Sequence, residues 1–387
     1  MKVLKEKLQT LCIFREFLKD TVVSALCRYL ENPANSAYAE FAAALYNANK
    51  GNLGEYLKEL CSVSDNIYVK TIGSGEDAPD FMYSSLVAEL DILQEAAELD
   101  KETLCSLLDY KGFLPEFAVS SFCLKDFYLE RVRNIEKYGY GIYAKHRMFY
   151  ADEQGCILPV LHPDAIELCQ LVDYEREKRI IVDNTKALLA GKPAANILLS
   201  GDSGTGKSST VKAVVNSLWS EGLRIVELQK DRLRNIPKIL DELSNNPLKF
   251  ILFIDDLSFL KNDNDFNAIK SALEGSVTVK SRNVVIYATS NRRHIIKETF
   301  SDREGDDIHR NDTMQELVSL SERFGIHVTF SKPDKETFLH IVYHLAEESG
   351  INMKKEELAL LAERFALERG GRSPRAARQF VDGLLSR

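Results

Sequence analysis

The stretch Asn196-Ile-Leu-Leu-Ser-Gly-Asp-Ser-Gly-Thr-Gly-Lys-Ser-Ser-Thr-Val211 decides the fold. It reads as an apolar strand, a glycine-rich turn and the opening of a helix. Within it, Gly201–Ser208 fits the phosphate-binding pattern GxxxxGK[ST]. Glycines there let main-chain N–H groups converge on phosphate oxygens, where a Cβ would obstruct them. The helix N-terminus adds the positive end of its dipole. The expected cradle is Gly201, Asp202, Ser203, Gly204, Thr205, Gly206, Lys207, Ser208 and Ser209. Lys207 is placed to reach the β- and γ-phosphates, and the Ser208 hydroxyl to ligate Mg²⁺. At ordinary glycine content the bare pattern arises by chance in roughly one or two chains per hundred of this length. Requiring a strand before it and a helix after it thins that number further.

Outward from this run, short apolar segments alternate with helical periodicity. Asn196–Leu199, Arg224–Leu228, Phe250–Ile254, Val284–Ala288 and His327–Phe330 are near-continuous apolar runs, as expected of strands buried on both faces of a parallel sheet. After Phe330 only helical segments follow, over about 334–349, 354–368 and 373–386. The expectation is an α/β core over 165–331 built on a five-stranded parallel sheet, closed by a C-terminal helical lid over 332–387. Upstream, 1–138 reads as a mainly helical N-terminal domain, with Leu4, Leu8 and Leu11, then Tyr38, Phe41 and Leu45, at helical spacing. Residues 139–164 read as a hairpin and linker around the turn Asp152-Glu-Gln-Gly155. From His162-Pro163 a helix is expected to run to Ala190, where Gly191-Lys-Pro193 breaks it.

The strand Phe250-Ile-Leu-Phe-Ile254 delivers Asp255-Asp256. An acid at the end of a buried strand beside a phosphate loop holds Mg²⁺, which is the role expected of Asp255. Asp256 is then placed to orient or deprotonate the attacking water. The run Val284-Val-Ile-Tyr-Ala-Thr-Ser-Asn291 ends in polar residues. Asn291 is the first choice to hold that water against the γ-phosphate, with Ser290 and Thr289 next. Arg323, in Ser321-Glu-Arg-Phe-Gly325, suits a finger reaching a neighbour's γ-phosphate, with Arg303 and Arg310 as rivals. Arg375, opening the last helix, is expected to contact the same chain's nucleotide. Arg372 and Arg378 share its helix face, and a solvated basic face accounts for them equally well.

The rest of the composition narrows the class. With 45% hydrophobic and 28% charged residues the chain can bury a sizeable core. No apolar run reaches the roughly 18 residues of a membrane span. Charges at Lys5, Lys7 and Arg15 interrupt the N-terminus, which reads as an amphipathic helix and not a leader, so a cytoplasmic protein with no membrane partner is expected. Seven scattered cysteines without a CxxC pair read as reduced core thiols. A net charge of −8 does not indicate an indiscriminate nucleic-acid binder, although the short basic runs Lys230-Asp-Arg-Leu-Arg234 and Arg292-Arg-His294 leave DNA contact possible. His340 and His344 lie one helical turn apart but lack the glutamate and third ligand of a zinc site.

Taken together, DSGTGKSS, LFIDDLSF, IYATSNRR, SERFGI and GRSPRAAR resemble the motifs of AAA+ ATPases, in that family's order, over about residues 165–387. More narrowly, LLSGDSGTGKSSTVKAVVN, LQKDRLRNIP, YATSNRRHII and FSDREGDDIHRNDTMQEL are similar to a bacterial family of ATP-binding proteins catalogued as domain of unknown function number 815. The AAA+ resemblance implies ATP and Mg²⁺ as ligands, ATP hydrolysis, homo-oligomeric assembly and remodelling of a partner, here one recruited through residues 1–160. It departs at Asp256, where most AAA+ proteins carry Glu. The side chain is shorter by about one methylene, which bears on the rate of hydrolysis. The Asp-Asp pair also resembles bacterial replication initiators and transposition helper ATPases. An ATP-dependent nucleic-acid loader and a slow nucleotide switch are therefore the alternatives to a remodelling motor.

Overall fold

The computed structural model describes residues 2–49, 51–257, 269, 273, 282–291 and 323–386. Arg303, Arg310, the charged segment 301–313 and the basic run 292–294 lie outside the described residues. The chain divides into two compact units, Met1–Lys145 and His146–Arg387.

The first unit is helical: α1 (Lys2–Gln9), α2 (Thr21–Glu31), α3 (Asn35–Asn49), α4 (Leu53–Ser62), α5 (Ile67–Gly73), α6 (Asp80–Ala97), α7 (Lys101–Cys105), α8 (Leu124–Arg133), α9 (Ile135–Tyr138) and α10 (Ile142–Lys145). Side chains that prefer helix N-caps start several of them. Asp20 accepts from the N–H groups of Val22 and Val23, and Asn52, Asn66 and Asp100 cap α4, α5 and α7. Leu8, Phe14, Tyr29, Phe41 and Leu90 meet in one core. The buried Glu89 carboxylate accepts from the N–H groups of Cys12, Ile13 and Phe14 at 2.8–3.0 Å, which satisfies main chain that no helix serves.

The second unit carries β1 (Met148–Ala151), β2 (Ile157–Pro159), α11 (Glu175–Leu189), β3 (Ile197–Gly201), α12 (Lys207–Leu218), β4 (Leu223–Leu228), α13 (Ile236–Ser244), β5 (Lys249–Ile254), β6 (Val284–Ser290) and β7 (Ile326–Phe330), then α14 (Lys335–Glu348), α15 (Lys355–Glu368) and α16 (Pro374–Leu385). The sheet order is β2-β1-β4-β5-β6-β3-β7. The run β4-β5-β6-β3-β7 is parallel throughout. Its interior strands are buried on both faces, which is why they read as continuous apolar runs.

Among the described residues the sheet has seven strands where five were expected. The hairpin read as a linker joins its edge: β1 pairs parallel with β4, and β2 pairs antiparallel with β1. The partners that fix it are remote in sequence. Arg232 Nη1 donates to Ala151 O (2.9 Å), Asn235 Nδ2 to Glu153 O (3.2 Å) and Lys238 Nζ to Gln154 O (2.7 Å). A second difference lies before α11. The expected helix from 162 is irregular chain with one 3-10 turn, Leu168–Gln170. Asp173 and Tyr174 have φ of 65° and 62°, so α11 begins only at Glu175.

Phe338, Ile341, Val342 and Leu345 of α14 pack with Leu358 and Ala362 of α15 and Ala377 and Phe380 of α16, and Val172 packs against this cluster. All seven cysteines are free, but they are not the core thiols expected, since only Cys61 is buried while Cys12, Cys123, Cys156 and Cys169 are exposed. Among the described residues no helix is long and apolar enough to cross a membrane.

Candidate nucleotide site

Because β6 lies between β3 and β5, the phosphate loop, the acid pair and the polar strand end emerge side by side at the carboxyl edge of the sheet. In parallel α/β sheets that edge is where ligands bind. The register makes the juxtaposition specific: Ser200 pairs with Ser290, and Ile254 with Ala288.

Two glycines of the loop are required by close approach. Gly201 has φ of 137°, and a Cβ there would meet Phe330 O at 2.0 Å. Gly204 has φ of 79°, and a Cβ would meet the Arg375 side chain at 3.0 Å, because α16 lies on the loop: Arg375 N–H donates to Gly204 O at 3.2 Å. Gly206, with φ of 93° at the N-cap of α12, has open space where a Cβ would stand.

Lys207 is buried, at 5% exposure, and its ammonium donates to Gly201 O (2.8 Å), Asp202 O (2.8 Å) and Asn291 Oδ1 (3.0 Å). Burial pushes its pKa below the ordinary lysine value. Asp255, Asp202 and Asp256 oppose that shift, while Arg375 reinforces it. Ser208 Oγ donates to Asp255 Oδ1 at 2.6 Å. Thr289 Oγ1 donates to the same oxygen at 2.5 Å and accepts from Asp256 N–H at 2.9 Å. Asn291 Nδ2 donates to Asp256 Oδ1 at 2.7 Å.

These groups border one cavity of ≈ 500 Å³. Ser203, Gly204, Thr205, Gly206, Lys207, Ser208 and Ser209 line it from the loop, Asp255, Asp256, Thr289 and Asn291 from the strand ends, and Arg375 and Arg378 from the lid. Gly201 and Asp202 are not among the lining residues and contribute through the carbonyls that hold Lys207. A hydroxyl and a carboxylate within hydrogen-bond distance are hard oxygen donors of the kind magnesium takes, so the donor set fits that ion.

Three arginines separate. Arg375 and Arg378 face the cavity, while Arg372 is engaged by Glu363 through two hydrogen bonds at 2.9 and 2.7 Å. Arg323 is half-buried and does not line its own chain's cavity. His340 Nδ1 lies 3.2 Å from Asp173 Oδ2, so its helical pairing with His344 is not the contact it makes.

Sequence reasoning missed the apolar wall. Ile166, Leu171, Val172 and Tyr174 line the cavity together with Ile341 and Leu345 of α14, beside a glycine-rich loop that is otherwise polar. Asn216 of α12 holds this segment through Asp164 O and Ile166 O, and Tyr174 OH donates to Ser331 O at 2.7 Å. The only local signal was His162-Pro163, which breaks regular structure.

The family described as "Protein of unknown function (DUF815)" matches residues 144–387. No curated protein matches the chain. Among solved structures, the chain is similar to the RuvB Holliday junction branch migration motor of Thermotoga maritima, with 15% identity and a TM-score of 0.39 over 57% of this chain and 64% of that one. An arginine-to-alanine variant (17% identity) and a lysine-to-arginine variant (15%) of that motor align over the same shares at the same TM-score. The chain thus spans less than two-thirds of the length of these structures.

Proposed function

Since the chain belongs to the DUF815 family, we propose that it is a Mg²⁺-dependent ATPase of the AAA+ P-loop type whose cycle remodels a protein partner recruited through residues 1–160. One observation carries the reading: Lys207, Ser208, Asp255, Asp256, Asn291 and Arg375 meet at a single cavity roofed by the helical lid.

In this reading the apolar wall takes the base and the loop takes the phosphates. Lys207 exchanges its carbonyl partners for phosphate oxygens. Asn291 holds the water in line with the γ-phosphorus. The water oxygen bonds to phosphorus as the bond to the β–γ bridging oxygen breaks, and Asp256 receives the water's proton. Ser208 and Asp255 would hold Mg²⁺, which would supply charge neutralisation at the phosphates. Arg375 reports the nucleotide state to the lid, because its main chain is already hydrogen-bonded to the phosphate loop. Arg323 serves a neighbouring copy, so the working form is a homo-oligomer.

Phosphate release, measured with mass in solution, tests this. Turnover should require Mg²⁺ and vanish in Lys207→Ala. Arg323→Ala should assemble without turning over, and mixing it with Lys207→Ala should restore part of the rate, since each supplies what the other lacks. Normal turnover by assembled Arg323→Ala contradicts the shared site. Tight ATP binding without any turnover favours the nucleotide switch.

A further inference from the structure

Asp256 has φ of 54°, in the left-handed region where Asp and Asn are the non-glycine residues found most readily. Thr289 holds it there. Its hydroxyl accepts from Asp256 N–H (2.9 Å) and gives its one proton to Asp255 Oδ1 (2.5 Å), so a single side chain engages both acids. Its carbonyl accepts from Leu257 N–H at 2.7 Å, which closes the turn after the acid pair. Ser208 Oγ meets the same Asp255 oxygen, so two hydroxyls from different elements converge on Oδ1 and leave Oδ2 outside both bonds. Strand register sets the contact. Ala288 pairs with Ile254, and the next residues along the two strands are Thr289 and Asp255. Thr289 is 2% exposed, a setting in which valine would pack as well were the hydroxyl idle.

We propose that Thr289 is a positioning residue for the acid pair. It fixes which oxygen of Asp255 faces the magnesium side, and it holds position 256 in a left-handed turn that suits aspartate. The inference rests on the ATPase reading above and deepens it. The departure from the usual Glu then has a backbone cause: the turn re-aims the Cα–Cβ bond so that a short carboxylate meets Asn291 Nδ2. A longer acid at this turn gains reach in a direction the site does not use.

The test compares Thr289→Val, Thr289→Ser and Asp256→Glu with the parent chain. One readout is the Mg²⁺ concentration that half-saturates binding of a fluorescent ATP analogue, with an arm in EDTA; the other is steady-state turnover. Losing a partner that orients a metal ligand costs roughly 10- to 100-fold in metal affinity or activity. Thr289→Val should show a loss of that order in Mg²⁺ half-saturation and kcat, with unchanged analogue binding in EDTA. Thr289→Ser should restore both readouts, and Asp256→Glu should not exceed the parent's turnover. Parent-like Mg²⁺ dependence in Thr289→Val overturns the positioning role, as does a folded Thr289→Ser as impaired as the valine variant. An Asp256→Glu chain faster than its parent overturns the backbone account. A parent that binds no triphosphate overturns the ATPase reading itself, whereas a parent that binds and hydrolyses while Thr289→Val matches it overturns this inference alone.

Discussion

Lys207 Nζ and Asn291 Oδ1 are hydrogen-bonded at 3.0 Å, and the other end of the same amide donates to Asp256 Oδ1. One side chain therefore links the cation proposed to bind phosphate to the acid proposed as general base. A triphosphate that draws Lys207 toward its own oxygens releases Asn291 Oδ1 at the point where a water must be held. Asn291→Ala should then lower kcat far more than it weakens ATP binding. The unliganded protein should lose about 1 kcal/mol of stability, because a buried ammonium gives up one acceptor. Turnover, KM and chemical denaturation of the same preparation check this together.

Nucleotide affinity should fall at alkaline pH sooner than an ordinary lysine would allow. Burial lowers the Lys207 pKa in the folded state, and only its charged form attracts phosphate. As pH rises toward the ordinary lysine value, the ammonium discharges and binding weakens. The stability term has the opposite sign. A folded pKa below the unfolded one means this group's contribution is absent at low pH, appears as pH rises through the folded value and is complete above the unfolded value. Calorimetric titrations across this range, with Lys207→Arg as the control lacking the alkaline limb, measure the first effect. Denaturation of unliganded protein measures the second.

Two glycine substitutions should fail for different reasons. Gly201→Ala forces a Cβ against Phe330 O and should destabilise the fold severely, since main chain on β7 cannot yield without breaking the β3–β7 ladder. Gly206→Ala meets no atom but must hold a left-handed N-cap, which costs on the order of 1–3 kcal/mol. It should fold, with lowered thermal stability and weakened ATP binding. Thermal unfolding with and without Mg·ATP separates the two.

Arg372 and Arg375, three residues apart, should behave as opposites. Arg372→Ala removes the bidentate tie to Glu363 within the lid, so it should lower stability while leaving ATP affinity nearly intact. The Arg372 hydrogen bonds, with the charges of Arg372 and Lys335, hold Glu363 below its ordinary pKa against the opposing effect of burial, so this tie is present above the usual carboxylate range and is lost on acidification. Arg375→Ala removes a cation from the cavity and should weaken ATP binding, with thermal stability nearly unchanged. Paired unfolding and binding measurements on the two variants decide it.

What the sequence disclosed was whatever is written in consecutive residues. The run from Ile197 to Val211 carries strand, loop and helix in fifteen positions, and the acid pair and Asn291 each end an apolar run. What it concealed depends on residues far apart. The β1–β2 hairpin joins the sheet because β4 lies beside it and Arg232, Asn235 and Lys238 hold its turn. The same contact removes Arg232 from the basic run considered for DNA. The apolar wall at 166–174 has no periodicity to read, since its path follows from left-handed residues and from the remote partners Asn216 and Ser331. Thr289 was named only behind Asn291 because its strand position shows, while its two acid partners, 33 and 34 residues away, do not.

The loop at 201–208 is proposed to grip the phosphates of ATP beside magnesium. Isothermal titration of the folded chain with Mg·ATP tests it most directly, with Lys207→Ala as comparison. Saturable binding at one nucleotide per chain is expected. In Lys207→Ala the affinity should fall roughly 30- to 1,000-fold, the equivalent of about 2–4 kcal/mol for a lost charge-assisted contact, while the fold is retained. Absence of saturable heat in the parent, or equal affinity in Lys207→Ala, would contradict it.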